Sequence, residues 1–352
     1  YLLVNYGREK YGTDFWNKVK HDASAFKNLF YPFQHAIKKY AGVDYKTFYE
    51  QAFQYYKDLS QTLSKGEGLA KTPAKNIFPM NERYVTSYYF PYSIGNDSLL
   101  YLKSSYRRRP AFYIKDNSGE RRLRVRDISI DEQFSYRNGK IVYAAYETDP
   151  RWGWKDYGVI KLLDVKTGRQ QTLTHRSKYF TPDISPDGTH IAAVQVSTDG
   201  TCELHILDAT TGKIVNVIRS SDVILYTDPK FIDDNSLVTA IRVRNGKMSL
   251  AMVDISSGRT IRLTDPSFNV LGYPCVQDGK IFFTASYMGN DDVFALRLSD
   301  KKIFRISNGP FGNYFVNAAN GKITWSAFTA DGYQLQQMDE KNILWKEIDT
   351  DT

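Results

Sequence analysis

Few residues in this chain are spaced for covalent chemistry. The five histidines are His21, His35, His175, His190 and His205, and no two stand at i, i+4 with a glutamate between them. That spacing is what lets one helix face present two zinc ligands and a general base. No Gly-x-Ser-x-Gly elbow exposes a serine nucleophile, and no glycine loop is built to cradle phosphate. The acidic runs Asn290-Asp-Asp292 and Asp233-Asp234 lack the oxygen spacing of a calcium loop and read as turn formers. Asp131, Glu132 and Asp228 could serve a glycan-cleaving enzyme only if two of them converged, and nothing in the sequence requires that. What remains are rigid aromatic side chains, which give large contact area for little lost entropy and favour peptide or sugar partners. The candidates are Tyr88, Tyr179, Tyr226, Tyr273 and Tyr314, together with Trp152, Trp154 and Arg108.

These residues sit in a repeat. The runs Asp116-Asn-Ser-Gly119, Asp164-Val-Lys-Thr-Gly168, Asp208-Ala-Thr-Thr-Gly212 and Asp254-Ile-Ser-Ser-Gly258 recur about every 45 residues, each after a short β-rich run. Asp opens such a turn by accepting a backbone N–H two residues on, and Gly closes it because positive φ costs it nothing. A second marker, Pro91, Pro182, Pro229 or Pro274, precedes a polar turn and an apolar strand. Two further units lack the Pro and carry Asn138-Gly139 and Asn320-Gly321, tight hairpin signals. The units begin near Pro91, Gln133, Pro182, Pro229, Pro274 and Phe315. Each holds about four strands, and six fit between residues 78 and 349. Repeats of this period mean repeated supersecondary units. The tight turns demand antiparallel neighbours, which argues against a parallel solenoid. The expectation is an all-β, six-bladed β-propeller preceded by a small α-helical segment.

The strand order has a geometric consequence. In a four-stranded meander, the loop leading into the first strand and the loop joining the second to the third lie at the same end. Leading loops carry Tyr88-Tyr-Phe90, Tyr179-Phe180, Tyr226, Tyr273 and Tyr314-Phe315. Second-to-third loops carry Tyr106-Arg-Arg-Arg109, the long 149–156 loop with Trp152 and Trp154, residues 242–245, and Tyr287-Met-Gly-Asn290. One face therefore collects aromatic residues from nearly every blade, and a ligand at the channel mouth is expected there. A second reading of the tyrosines is that they wedge neighbouring blades together. The Trp152–Trp154 loop, an elongated surface connection, is expected to bind a ligand or a partner domain.

The run from Tyr179 to Val194, Tyr-Phe-Thr-Pro-Asp-Ile-Ser-Pro-Asp-Gly-Thr-His-Ile-Ala-Ala-Val, resembles the signature of TolB-like, or WD40-like, propeller repeats, with Ile184 where the family has Trp. The family often has an acidic residue three before the Pro. Here Tyr88, Tyr179 and Tyr226 stand there, so any site carried by that acid does not transfer. Residues 1–63 read as helices: one stopped by Gly12, one capped by Asp14, one from Pro32 to Gly42, and one capped by Asp44 with Phe48, Ala52, Tyr55 and Leu59 on one face. The Tyr-Gly-x-x-x-Tyr-Gly-x-x-Phe-Trp start, residues 6–16, resembles the C-terminal helices of gluzincin metallopeptidases of the peptidase-MA type. Residues 64–77, with Gly66, Gly68 and Pro73, read as a linker, and residues 78–349 as the propeller. The resemblance implies a zinc peptidase domain upstream, absent from this chain, with the propeller as its non-catalytic peptide- or protein-binding or gating module. It also implies an exported or periplasmic bacterial protein. A cell-envelope interaction scaffold and a glycan-binding or glycan-cleaving propeller remain the alternatives. No cofactor is expected within this chain itself.

Composition narrows the rest. The 352 residues suffice for two cores, and the 14% aromatic content, with 26 Tyr, suits many half-buried strands. The net charge of +8 is concentrated at Arg107-Arg-Arg109 and residues 120–126, without the interleaved aromatics or module of a nucleic-acid binder. No apolar run has the length of a membrane helix. Cys202 and Cys275 fall in different repeats and are expected as unpaired thiols.

Overall fold

The structure, a computed structural model, describes residues 1–25, 30–66, 72–79, 83–95, 97–309 and 311–350. The chain divides into two units, Tyr1–Ala70 and Lys71–Thr352.

The first unit holds α1 (Leu2–Tyr11), α2 (Phe15–Ser24), α3 (Pro32–Ala41) and α4 (Tyr45–Gly66). Gly12 at φ 93° ends α1, and left-handed Gly42 at φ 74° ends α3, its N–H returning to Lys38 O. Asp44 caps α4, its Oδ1 accepting the Thr47 N–H at 2.9 Å. Asp14 precedes α2 as expected but makes no side-chain cap, because its own backbone is already helical. Phe48 and Ala52 are buried against Tyr6, Phe15 and Ile37, whereas Tyr55 and Leu59 are exposed and Tyr56 packs in their place. α4 runs on to Gly66, past the expected boundary at 63. Gly68, within 67–71 of the expected linker, and Asn96, in the first blade's turn, lie outside the described residues.

The second unit is a six-bladed β-propeller. A short strand, β1 (Lys75–Asn76), precedes the blades. Blade 1 is β2 (Thr86–Ser93), β3 (Leu99–Ser105), β4 (Arg108–Asp116) and β5 (Gly119–Val125). Blade 2 is β6 (Phe134–Arg137), β7 (Lys140–Thr148), β8 (Asp156–Asp164) and β9 (Gln170–Thr172). Blade 3 is β10 (Tyr179–Ile184), β11 (His190–Val196), β12 (Cys202–Asp208) and β13 (Ile214–Ile218). Blade 4 is β14 (Val223–Asp233), β15 (Ser236–Val243), β16 (Met248–Asp254) and β17 (Thr260–Arg262). Blade 5 contributes β18 (Leu271–Gln277), β19 (Lys280–Ala285), β20 (Asp292–Arg297) and β21 (Ile303–Arg305). Blade 6 contributes β22 (Asn313–Ala319), β23 (Lys322–Thr329) and β24 (Gly332–Asp339), and β25 (Lys346–Glu347) follows.

Every junction between blades has its own apolar cluster. Phe112 meets Phe134 between blades 1 and 2, Ile160 meets Ile191 between 2 and 3, and Leu204 meets Leu237 between 3 and 4. Leu250 meets Phe283 between blades 4 and 5, Phe282 meets Trp325 between 5 and 6, and Leu335 meets Tyr101 between 6 and 1. The ring is therefore closed by side-chain burial all the way round.

The ends depart from the simple repeat. Blade 6 takes only three strands from its own stretch of chain. Its fourth is β1, paired through Lys75 with Gln337 and Asn76 with Gln336, with the Ile77 N–H on Leu335 O at 2.9 Å. β25 instead adds a fifth strand to blade 5, Phe304 pairing with Glu347. The propeller thus reaches into the stretch expected as linker, 64–77. Both added strands are two exposed residues long, so no apolar alternation marks them; backbone pairing holds them, with the Gln336 amide on Asn76 Oδ1 and the Lys302 ammonium on Glu347 Oε2 beside it.

The Asp–Gly turns behave as local chemistry requires. Ser118, Thr167, Thr211 and Ser257 each donate their N–H to the Oδ1 of Asp116, Asp164, Asp208 and Asp254, at 2.9, 2.7, 2.7 and 2.8 Å. Gly212 and Gly258 share φ 69°, yet differ in surroundings: a Cβ on Gly212 would lie 2.1 Å from Leu173 O, whereas one on Gly258 meets nothing nearer than 3.9 Å. Gly258→Ala should therefore cost about 1 kcal/mol for the left-handed backbone. Gly212→Ala should cost roughly 2–4 kcal/mol, because overpacking adds to the same term. Urea midpoints of the two variants check the difference.

Candidate functional site

The innermost strand of five blades carries the same irregularity. Two residues oppose one on the next strand: Phe90-Pro91, Thr181-Pro182, Asp228-Pro229, Tyr273-Pro274 and Phe315-Val316. The first residue of each pair is left-handed, at φ 49°, 46°, 54°, 54° and 56°. Blade 2 lacks this bulge, since β6 begins only at Phe134, and Gln133 takes the matching place. The six residues Phe90, Gln133, Thr181, Asp228, Tyr273 and Phe315 thus occupy one level of the ring.

That level is divided. On one side the Phe90, Tyr273 and Phe315 rings touch, with centroids 4.1 Å apart for Phe90–Phe315, 4.7 Å for Tyr273–Phe315 and 5.8 Å for Phe90–Tyr273. Tyr89, Tyr314 and Tyr333 extend this cluster: Tyr333 lies 5.0 Å from Tyr89, 5.7 Å from Tyr314 and 5.9 Å from Phe315. The Tyr314 hydroxyl donates to Asp291 Oδ2 at 2.7 Å. On the other side the residues are polar. Asp228, 5% exposed, accepts the Tyr273 N–H at 3.2 Å. Gly272 leaves it room, since a Cβ there would stand 3.1 Å from Asp228 Oδ2. The buried Arg126 guanidinium donates to Asp131 Oδ1 at 3.5 Å and to Gln133 O at 3.2 Å. Burial pushes the Asp131 carboxyl up to about 6 although Arg126 pulls the other way, and Asp228 adds to the rise. Asp228 and Glu132 are also raised, chiefly by burial.

A polar layer closes the channel two residues further along each strand, at Tyr92, Ser135, Asp183, Lys230, Cys275 and Asn317. Lys230 spans the ring, its Nζ bonding Asp183 Oδ1 and the Tyr92 hydroxyl at 3.2 Å each and also the Ser135 hydroxyl. Burial opposes its charge, but Asp183 and Tyr92 outweigh that and hold the ammonium above the usual lysine value. Asp183 Oδ2 also accepts the Phe231 N–H at 2.9 Å. Above Lys230, between Phe90, Gln133, Tyr273 and Phe315, a cavity of about 20 Å³ remains, room for about one water molecule.

The aromatic candidates separate accordingly. Tyr273 and Tyr314 are brought together in the cluster. Tyr88, Tyr179 and Tyr226 are not, being 7%, 4% and 1% exposed. They stand two residues before the bulge, while Tyr273 is the bulge residue itself and Tyr314 lies one residue before it, so the five are not equivalent positions. Tyr88 stacks on Phe78 at 4.5 Å, Tyr179 hydrogen-bonds His205 Nδ1 at 3.0 Å, and Tyr226 packs between blades 3 and 4. These three are buried within the clusters between blades. Arg108 lies not in the second-to-third loop of blade 1 but at the start of β4, paired with Ser105, and is exposed. In the 149–156 loop, Asp149 Oδ1 accepts the N–H groups of Arg151 and Trp152 at 2.9 and 3.1 Å, and Arg151 lies over the Trp152 ring at 5.3 Å. This order leaves Trp152 61% and Trp154 102% exposed. Sequence reasoning passed over Gln133, Tyr333 and Lys230. The usable signal was the residue directly before the repeating Pro, which is the channel-facing bulge in four blades. Among the described residues, no set of three or more His, Cys, Asp or Glu could hold a metal ion, and both cysteines are free.

No protein-family model matches this sequence, and no curated protein matches it. Solved structures do share the fold. A Mycobacterium tuberculosis puromycin-hydrolyzing peptidase is 13% identical with a TM-score of 0.54, over 80% of this chain and 55% of its own. A puromycin hydrolase is 14% identical with a TM-score of 0.51, over 80% and 48%. A putative TolB from Agrobacterium tumefaciens is 18% identical with a TM-score of 0.46, over 65% and 83%. The chain spans about half the length of the two peptidase structures. At this identity the likeness concerns the fold.

Two outcomes are expected. Lys230→Met strands Asp183 in the interior and should cost about 3 kcal/mol, as loss of one partner of a buried pair does; chemical denaturation measures it. For Asp131, the folded value of about 6 exceeds the ordinary 3.8, so its contribution is fully present below pH 4 and is lost as pH rises through 6. Asp131→Asn should remove that component, and the urea midpoint should then fall less between pH 4 and 6 than in the parent protein.

Proposed function

We propose that the propeller is a non-catalytic binding module that holds a peptide or protein segment at its channel mouth. The observation that carries this is the aromatic half-ring: Phe90, Tyr273 and Phe315 converge from blades 1, 5 and 6, with Tyr89, Tyr314 and Tyr333 around them. Rings held in mutual contact lose little freedom on binding, which is what makes aromatic anchors effective. The Lys230 layer and the one-water cavity above it favour docking on the mouth, with at most a small group inserted, over passage through the channel.

In the fuller form of this proposal the module serves a zinc peptidase domain upstream, presenting substrate to it or gating access, in an exported or periplasmic bacterial protein. The helical segment's resemblance to peptidase-MA helices supports it. The puromycin-hydrolyzing peptidase, about half of whose chain is matched, is a precedent for such a propeller within a peptidase. A free-standing interaction scaffold is the alternative, and the exposed Trp152 and Trp154 favour it to the extent that they contact a partner. The glycan-cleaving alternative draws support from Asp131 and Asp228 lying within electrostatic reach of each other, but Asp131 is engaged by Arg126 and Asp228 is buried.

The test is peptide binding to the purified chain, read by fluorescence anisotropy against a library of unstructured peptides. Phe315→Ala should weaken binding at least about tenfold, the scale of one lost aromatic anchor. Unchanged affinity in that variant would remove the channel mouth from the site. Trp152→Ala with Trp154→Ala reads the loop separately, and peptide hydrolysis by this chain alone would refute the non-catalytic assignment.

A further inference from the structure

We infer that blades 1 and 2, at the end that carries their second-to-third connections, dock on the surface of an anionic lipid bilayer. Three stretches meet there. The β3–β4 hairpin holds Tyr106 and Arg107, with Arg108 and Arg109 opening β4. The connection from blade 1 to blade 2 holds Ile128 and Ile130, and the 149–156 loop holds Trp152 and Trp154. They lie side by side, since the Arg126 N–H reaches Pro110 O at 2.9 Å and the Tyr146 N–H reaches Ile128 O at 2.8 Å. Each stretch turns an apolar tip to solvent: Tyr106 is 89%, Ile128 65% and Ile130 69% exposed, beside the two indoles. The Trp loop is ordered. Asp149 accepts the Tyr157 hydroxyl at 3.0 Å as well as two loop N–H groups, and the Lys155 N–H closes on Trp152 O at 2.7 Å. A loop fixed in this way holds an indole fully in water, which is unfavourable until something apolar covers it.

The free charge around these tips is of one sign. Residues 103–126 hold nine basic and two acidic side chains, in a chain whose net charge is +8. The carboxylates on the same strands and loops are taken by protein donors. Glu120 accepts the Tyr101 hydroxyl and the Lys103 ammonium, Glu147 accepts the Arg176 N–H, and Asp156 accepts the Thr148 hydroxyl. Among the described residues, no carboxylate stands within ion-pair distance of Arg107, Arg108, Arg109, Arg151 or Lys155. Arginine on an edge strand guards against stray pairing, which accounts for Arg121, Arg122 and Arg124 on β5. It does not account for Arg108 and Arg109, because β4 is flanked by β3 and β5. An anionic bilayer answers both features at once: its surface attracts the basic residues, and Trp and Tyr settle at headgroup level. An acidic protein would answer the charge but not the tips. The core of a protein interface is one contiguous packed patch, whereas these tips stand on three separate stretches, and fluid lipid closes around each.

The experiment is co-sedimentation of the purified chain with two kinds of vesicle, phosphatidylcholine alone and phosphatidylcholine with about one-third phosphatidylglycerol. The anionic vesicles should bind at least about tenfold more tightly, with the difference shrinking as salt is raised. Tryptophan emission should shift to the blue on binding, and Trp152→Ser with Trp154→Ser should abolish that shift and weaken binding. Arg107→Gln, Arg108→Gln and Arg109→Gln together should weaken binding at least about tenfold, since each basic residue near such a surface is worth a factor of about five. All five side chains are on the surface, and an unchanged urea midpoint shows that each variant is folded. Equal binding to both vesicles, binding to neither, or binding indifferent to either set of substitutions would overturn the proposal. Capture of the chain on immobilised polyglutamate, without capture on vesicles, would assign the surface to an acidic protein and overturn it as well.

Discussion

The left-handed residue in the innermost strand is the constraint on which the channel depends. A regular strand alternates its side chains between two faces. Inserting one residue at Phe90, Thr181, Asp228, Tyr273 and Phe315 shifts that alternation part-way along the strand. Residues before the bulge, such as Tyr88, Tyr179 and Tyr226, are committed to the gaps between blades. The bulge residue itself is freed to face the axis. Positive φ is strained for Thr and for aromatic residues, at a cost of about 1–3 kcal/mol each. Four such residues, Phe90, Thr181, Tyr273 and Phe315, persist because the packed blade on either side over-determines them, and Asp228 tolerates the same conformation more readily.

The second organising interaction is the polar layer below. Six blades contribute six side chains at one level, and Lys230 reaches across the ring to Tyr92, three blades away. The Lys230 stem fills part of the axis and ends in an ammonium satisfied by Asp183, Tyr92 and Ser135. The result is a floor that joins blades 1, 2, 3 and 4 through hydrogen bonds, in addition to the apolar clusters at each junction. It also separates the aromatic half-ring on one side from the remainder of the channel.

Ring closure completes the scaffold on which that half-ring rests. Blade 6 depends on β1, contributed from before the first blade, so the chain leading into the propeller and its last blade share one sheet. Blade 1 and blade 6 meet through Leu335, Tyr88 and Tyr101, close to where Phe90 and Phe315 touch. The aromatic half-ring therefore spans the junction at which the circle is joined, and its geometry depends on the closure.

Much of this architecture was legible in local sequence, for a physical reason. The Asp-to-Gly turns, the Asn138-Gly139 and Asn320-Gly321 hairpins and the apolar strands between them are decided within a few residues by turn chemistry and side-chain alternation. They were enough to count six sheets and to tell which loops share an end. Tertiary structure alone decided what depends on distant partners. β1 is recognised by partners about 260 residues away, through its backbone pairing with β24 and through the Gln336 amide donating to Asn76 Oδ1 at 3.1 Å. The bulge register put Tyr273 on the axis and Tyr226 out of reach. Asp131 and Asp228 came within electrostatic range, and Lys230 found Tyr92, only because the ring closed. Turn signals are short-range and survive in a string of letters. Which side chains face a common axis follows from the sum of six blade rotations and from a one-residue shift in each inner strand, and no local pattern carries that sum.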